Sequence, residues 1–126
     1  MFKTILIVED SKVQAMSLQY MLQSQGFKVL WACNGREGVQ MAHIHLPDLI
    51  VMDIEMPELN GVEACRELQN DFVTQDIPII LLTSRTELDL VEAGLNAGAR
   101  DYIPKDILSG PILLNTIESL SITEEV

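Results

Sequence analysis

Polar residues with chemical capacity stand at four places in the chain, each just after a short apolar run. Glu9-Asp10 follows Ile5–Val8, Asp53 closes the run Asp48–Met52, Thr83-Ser84 follows Ile77–Leu82, and Lys105 follows Asp101–Ile103. If those runs are neighbouring strands, the three acids Glu9, Asp10 and Asp53 converge in one crevice. Their mutual repulsion would raise at least one pKa unless a cation neutralises them. A hard divalent ion with oxygen ligands and several retained waters, Mg2+, is the natural occupant. A hydroxyl at Thr83 and an ammonium at Lys105 can hold phosphoryl oxygens that the acids alone would repel. Asp53 can then serve as a nucleophile and form an acyl phosphate, with Mg2+ and Lys105 neutralising charge in a loose transition state. Any one acidic loop residue is more often a helix cap, and a lone lysine is usually just solvated. Convergence at one edge is what weighs against that reading.

The elements that must position these residues follow from the pattern around them. Lys3–Val8 is a near-continuous β-rich run, as expected of a strand buried on both faces. Ser11 is a plausible N-cap, and Val13, Met16, Tyr20 and Met21 recur at helical spacing until Gly26. Phe27–Ala32 reads as a second strand, Gly35–His45 as a helix stopped by Pro47, and Asp48–Met52 as a buried strand. Gly61–Phe72 reads as a helix, Ile77–Leu82 as a strand, Glu87–Ala97 as a helix and Asp101–Ile103 as a short strand. A last helix from Pro111 to Leu120 turns Leu113, Ile117 and Leu120 inward. Strands alternating with helices imply a parallel sheet covered on both faces. Five such pairs suit a flavodoxin-like, doubly wound (βα)5 sheet of order 2-1-3-4-5, with ligands at the carboxyl ends of strands one and three.

The 126 residues are the length of one domain, and 48% hydrophobic with 21% charged residues argues against disorder. A net charge of -11 makes direct binding to nucleic acid improbable. No apolar stretch approaches the ~20 residues of a membrane span, and the N-terminal run is too short for a signal peptide. Cys33 and Cys65 match no metal spacing, and a reduced, cytoplasmic protein fits them best.

Along essentially its whole length the sequence resembles the receiver family of two-component response regulators, the CheY-like proteins of phosphorelay signalling. ILIVEDS matches the family's first strand and acidic pair, and VMDIEMPELNG its phospho-acceptor pattern, with Asp53, Pro57 and Gly61 in register. LLTSR supplies the hydroxyl at Thr83, and DYIPK supplies Tyr102 and Lys105. The resemblance implies one receiver domain over residues 1–126, phosphorylated on Asp53. It implies Mg2+ held by Asp10, Asp53 and the backbone carbonyl of Glu55, with Glu9 helping through water. Lys105 would pair with Asp53 or its phosphate, Thr83 would bond a phosphoryl oxygen, and Tyr102 would be the rotating switch aromatic. Such a domain is a signalling receiver that catalyses its own phosphorylation and dephosphorylation, rather than an enzyme acting on metabolites. Its partners would be a histidine kinase or histidine phosphotransfer protein and a downstream effector. Phosphorylation would change the face of helix four, strand five and helix five, through which a homodimer can form. One departure stands out: Asp106 follows Lys105 where the family usually has proline. A non-proline cis bond costs ~3 kcal/mol, so this bond is either trans or cis under strain.

The rival readings have less support. A flavodoxin would need a Ser/Thr/Gly-rich phosphate loop after strand one, where Glu9-Asp10-Ser11-Lys12 has the wrong charge. A phosphatase of the aspartyl-nucleophile class would want an acid at position 12, which is Lys. A degenerate receiver, never phosphorylated and serving as an interaction module, would have lost acids, hydroxyl or lysine that are all kept here. His43 and His45, two apart on a helix, point to different faces and make a poor metal site. Met52 and Met56 are expected to pack, and Glu124-Glu125 to be solvated. Glu55 and Arg85, of opposite charge and two residues beyond Asp53 and Thr83, could close as a salt bridge over an acyl phosphate.

Overall fold

The computed structural model describes the chain except for residues 1–2, 57, 84–87, 106–109 and 126. Five strands, β1 (Thr4–Val8), β2 (Lys28–Ala32), β3 (Leu49–Asp53), β4 (Ile79–Thr83) and β5 (Asp101–Pro104), form one parallel sheet of order β2-β1-β3-β4-β5. The five intervening and closing helices are α1 (Lys12–Ser24), α2 (Gly35–His45), α3 (Gly61–Gln69), α4 (Leu88–Asn96) and α5 (Gly110–Glu125). This is the flavodoxin-like arrangement expected from the sequence.

Side chains alternate across the pleat, so every central strand feeds two cores. Leu6, Val8, Ile50, Met52, Ile79 and Leu81 face α2 and α3, meeting Val39, Ala42, Val62, Cys65 and Leu68. Ile5, Ile7, Leu49, Val51, Ile80 and Leu82 face the other way and meet Leu18 and Leu22 of α1 and Leu113 and Ile117 of α5. That double burial is why β1, β3 and β4 read as continuous apolar runs. Met52 is fully buried and Met56 packs against the core, as expected of packing residues.

The structure settles which side of α1 is buried and corrects the end of α3. α1 forms where expected and Ser11 caps it, its side chain accepting from the Gln14 N–H. Its inward residues, however, are Ala15, Leu18 and Leu22, while Val13, Met16 and Tyr20 are 78%, 56% and 79% exposed. Both triplets have helical spacing and lie on nearly opposite sides, so periodicity defines the helix without choosing its buried face. α3 stops at Gln69 rather than reaching Phe72. Asp71 accepts from the Val73 N–H at 2.8 Å, turning the chain. The buried Thr74 hydroxyl donates to the Leu68 carbonyl at 2.8 Å, satisfying the end of the helix. Phe72 is left 88% exposed. Cys33 is free and exposed and Cys65 free and buried, and burial pushes the Cys65 thiol up to about 11.

Candidate functional site

β1 and β3 are neighbours, so their carboxyl ends bring Glu9, Asp10 and Asp53 together. One carboxylate oxygen from each lies within 4.8 Å of the others. Glu9 is 0% and Asp53 3% exposed, whereas Asp10 faces solvent. Gly61 keeps the wall thin: its N–H donates to the Ile54 carbonyl at 2.8 Å, and a Cβ there would lie 2.5 Å from the Asp53 carbonyl oxygen. Asn60 and Glu63 close a capping box behind it and fix the start of α3 beside the loop.

Lys105, just past β5, reaches across β4 to the acids. Its Nζ lies 2.8 Å from Asp53 Oδ2 and 2.7 Å from Glu9 Oε1. The second contact is close but poorly aligned, so the buried Glu9 Oε1 lacks a proper hydrogen bond. Glu9 is otherwise held by its other oxygen, which accepts from the Ser11 N–H at 3.1 Å. Its backbone carbonyl accepts from the Trp31 indole N–H at 2.8 Å. Burial raises the Glu9 carboxyl to about 7; Lys105 and the Ser11 N–H oppose that rise, and the Asp53 charge adds to it. Burial works against the Lys105 ammonium, but its hydrogen bond to Asp53 and its close ionic contact with Glu9 outweigh it and its pKa is raised.

Asp53 Oδ1 accepts from the Glu55 N–H at 3.0 Å, which sets the loop after β3. Thr83 is fully buried at the end of β4, opposite Pro104 of β5 in the register. Tyr102 is half-buried in β5 and packs against the core on the α2–α3 side. The structure thus brings Glu9, Asp10, Asp53 and Lys105 into one crevice, with Thr83 at the adjoining strand end. Pro57, Ser84, Arg85 and Asp106 lie outside the described residues, and with them the Glu55–Arg85 bridge and the Lys105–Asp106 bond. Among the described residues His43 joins no such cluster: its ring bonds the Val39 carbonyl and Asp71. The residue that sequence reasoning missed is Gln14, whose Oε1 accepts from Lys105 Nζ at 2.7 Å.

The donor set fits a divalent cation. Among the described residues, the Lys105 ammonium contacts two of the three clustered carboxylates, and a buried carboxylate oxygen stays imperfectly satisfied, the arrangement that a hard cation with oxygen ligands relieves.

The family profile of the response regulator receiver domain matches residues 5–117. The protein PilH of Pseudomonas aeruginosa is 41% identical over 116 residues, covering 92% of this chain and 95% of PilH. The response regulator MprA of Mycolicibacterium vanbaalenii is 41% identical over 101 residues, covering 80% of this chain but 43% of MprA. Among solved structures, the receiver domain of a sensor histidine kinase from Pseudomonas aeruginosa superposes with a TM-score of 0.86 at 31% identity. The match covers 94% of this chain and 97% of that one, which was solved with a magnesium ion in its active-site cleft. The chain belongs to the response regulator receiver family, the signalling modules of two-component systems. No helix among the described residues is long and apolar enough to cross a membrane.

Proposed function

We propose that this domain takes a phosphoryl group onto Asp53 in a Mg2+-dependent reaction and signals by the change of shape that follows. The observation that carries the reading is the Lys105 ammonium at 2.8 Å from Asp53 Oδ2, inside a cluster of three carboxylates. An Asp53 oxygen attacks phosphorus; the new O–P bond forms as the bond from phosphorus to the donor nitrogen or oxygen breaks, and the donor leaves with that electron pair. Lys105 offsets the charge on the transferring oxygens, and the Glu55 N–H holds the other Asp53 oxygen in place. Asp10, Asp53 and the Glu55 carbonyl would hold Mg2+, with Glu9 reaching it through water. Bound there, the ion supplies charge neutralisation and a template for the phosphoryl oxygens.

The donor is a histidine kinase or histidine phosphotransfer protein. The exposed apolar stripe of Val13, Met16 and Tyr20, beginning three residues after Asp10, gives such a protein a face beside the crevice. After transfer, Thr83 bonds a phosphoryl oxygen and Tyr102 turns inward, changing the α4-β5-α5 face. An effector, or a second copy of the domain, reads that face. A population shift of this kind needs only phosphate contacts that differ between the two states. The setting is cytoplasmic. A degenerate, unphosphorylated receiver is the second reading, and retention of every acid, the hydroxyl and the lysine counts against it.

The test is intact-mass measurement with Mg2+ and acetyl phosphate. The wild type gains one phosphoryl group and Asp53→Asn gains none; full modification of that variant would overturn the assignment.

A further inference from the structure

The first turn of α1 spells Ser11-Lys12-Val13-Gln14, the spacing of a capping box, in which the glutamine side chain turns back to the N–H of the capping serine. Half of that box forms, since Ser11 Oγ accepts from the Gln14 N–H at 3.4 Å. The other half does not, because Glu9 Oε2 already takes the Ser11 N–H at 3.1 Å. The Gln14 amide crosses instead to Lys105, with Oε1 2.7 Å from Nζ.

We infer that Gln14 is a positioning residue for the reaction at Asp53, holding the Lys105 ammonium against the phosphoryl-accepting carboxylate; this rests on the function proposed above. A lysine ammonium sits on a flexible four-carbon stem and has three protons to place. Here the acceptors within reach are Gln14 at 2.7 Å, Glu9 at 2.7 Å and Asp53 at 2.8 Å. Glu9 and Asp53 belong to the acidic cluster, and their hold on the lysine changes when a cation binds there or when Asp53 carries a phosphoryl group. Gln14 comes from another element, is uncharged, and takes part in neither event. Its contact therefore persists while the other two change, and it adds no fourth negative charge to the crevice.

The space beside the lysine gives that contact its purpose. A cavity of about 200 Å³ lies against Gln14, Ser17, Leu18, Leu82, Glu9 and Lys105, room enough for the ammonium to swing away from Asp53. The amide spans this side and directs the ammonium back into the crevice. The diverted capping box is thus a local stability rule relinquished in favour of the site.

The experiment compares Gln14→Met, which keeps side-chain length and helix propensity but offers no strong acceptor, with Gln14→Glu, which restores the oxygen. In metal-free protein, 15N NMR of the Lys105 ammonium should show water exchange roughly fivefold faster in Gln14→Met and near wild type in Gln14→Glu, as for loss of one ordinary, solvent-exposed hydrogen bond. With Mg2+ present, the dissociation constant for the phosphoryl mimic beryllofluoride should rise roughly fivefold in Gln14→Met, while that for Mg2+ alone shifts less than about twofold. Unchanged ammonium exchange in Gln14→Met overturns the inference. So does faster exchange with unchanged beryllofluoride affinity, since Gln14 would then hold the lysine without serving Asp53. A wild type that binds no beryllofluoride overturns the proposed function and this inference together; normal wild-type binding with an unaltered variant overturns the inference alone.

Discussion

Among the described residues, ion pairs between separate elements form both at the carboxyl edge of the sheet and on the surface beside α2. At the carboxyl edge of the sheet, Lys105 joins Asp53 and Glu9, all three nearly withdrawn from water. Between α2 and α3 with the turn that follows it, Arg36 meets Glu67 at 3.2 Å and His43 meets Asp71 at 2.8 Å, with every side chain substantially solvated. The contact lengths are alike and the physics is not. Exposed pairs are screened and entropically costly to hold, and are worth ~0–1 kcal/mol. Buried acids bear a desolvation cost that a cation or a proton must relieve, so the first cluster responds to both, whereas the second serves as a surface tie.

The most severe way to sharpen that contrast is to remove a proposed metal ligand. Asp10→Ala should weaken Mg2+ binding by more than roughly 100-fold, since even outer-shell partners of a metal cost 10–100-fold. Glu9→Ala should do less, because its contact is expected to run through water. Titration calorimetry checks both, and equal Mg2+ affinity in Asp10→Ala and wild type would refute the crevice reading.

A second prediction concerns pH. Folding raises the Glu9 pKa from 4.5 to about 7, so between these values the folded state binds more protons than the unfolded one. Its contribution to stability is fully present below 4.5 and is lost as the pH rises through about 7. Denaturant unfolding of metal-free protein should show stability declining across that window, and Glu9→Gln should flatten the decline. Saturating Mg2+ should do the same by favouring the carboxylate.

The exposed region should respond weakly. Arg36→Ala should change the unfolding free energy by no more than ~1 kcal/mol. His43 has its pKa raised from 6.5 by its bond to the Val39 carbonyl and then by Asp71. What it adds to stability is therefore present below 6.5 and lost as the pH rises through its higher folded value. Proton NMR of the His43 ring should give a midpoint above 6.5 that falls in Asp71→Asn. An effect on stability at Arg36 as large as that at Glu9 would erase the distinction between the two regions.

Much of the fold and of the crevice is legible in the sequence. The strands are legible because burial on both faces leaves unbroken apolar runs such as Ile5–Val8 and Ile79–Leu82. The site is legible because parallel topology sends each strand's carboxyl end to one edge, so the residue after each run declares itself. Two things were not legible. α1 carries apolar residues on opposite sides, and only docking on the sheet reveals that Leu18 rather than Tyr20 is inward. Gln14 was hidden because its spacing fits a local capping role, and its true partner lies 91 residues away.

The indole bond at the back of the site has a practical consequence. Trp31 is the single tryptophan of the chain, and its ring N–H rests on the backbone of Glu9, one residue before the solvent-facing acid Asp10. Ligation or phosphoryl transfer that shifts the end of β1 alters the polarity and hydrogen bonding around one fluorophore. Trp31 emission would then serve as an optical gauge of the proposed site's occupancy, readable without a label.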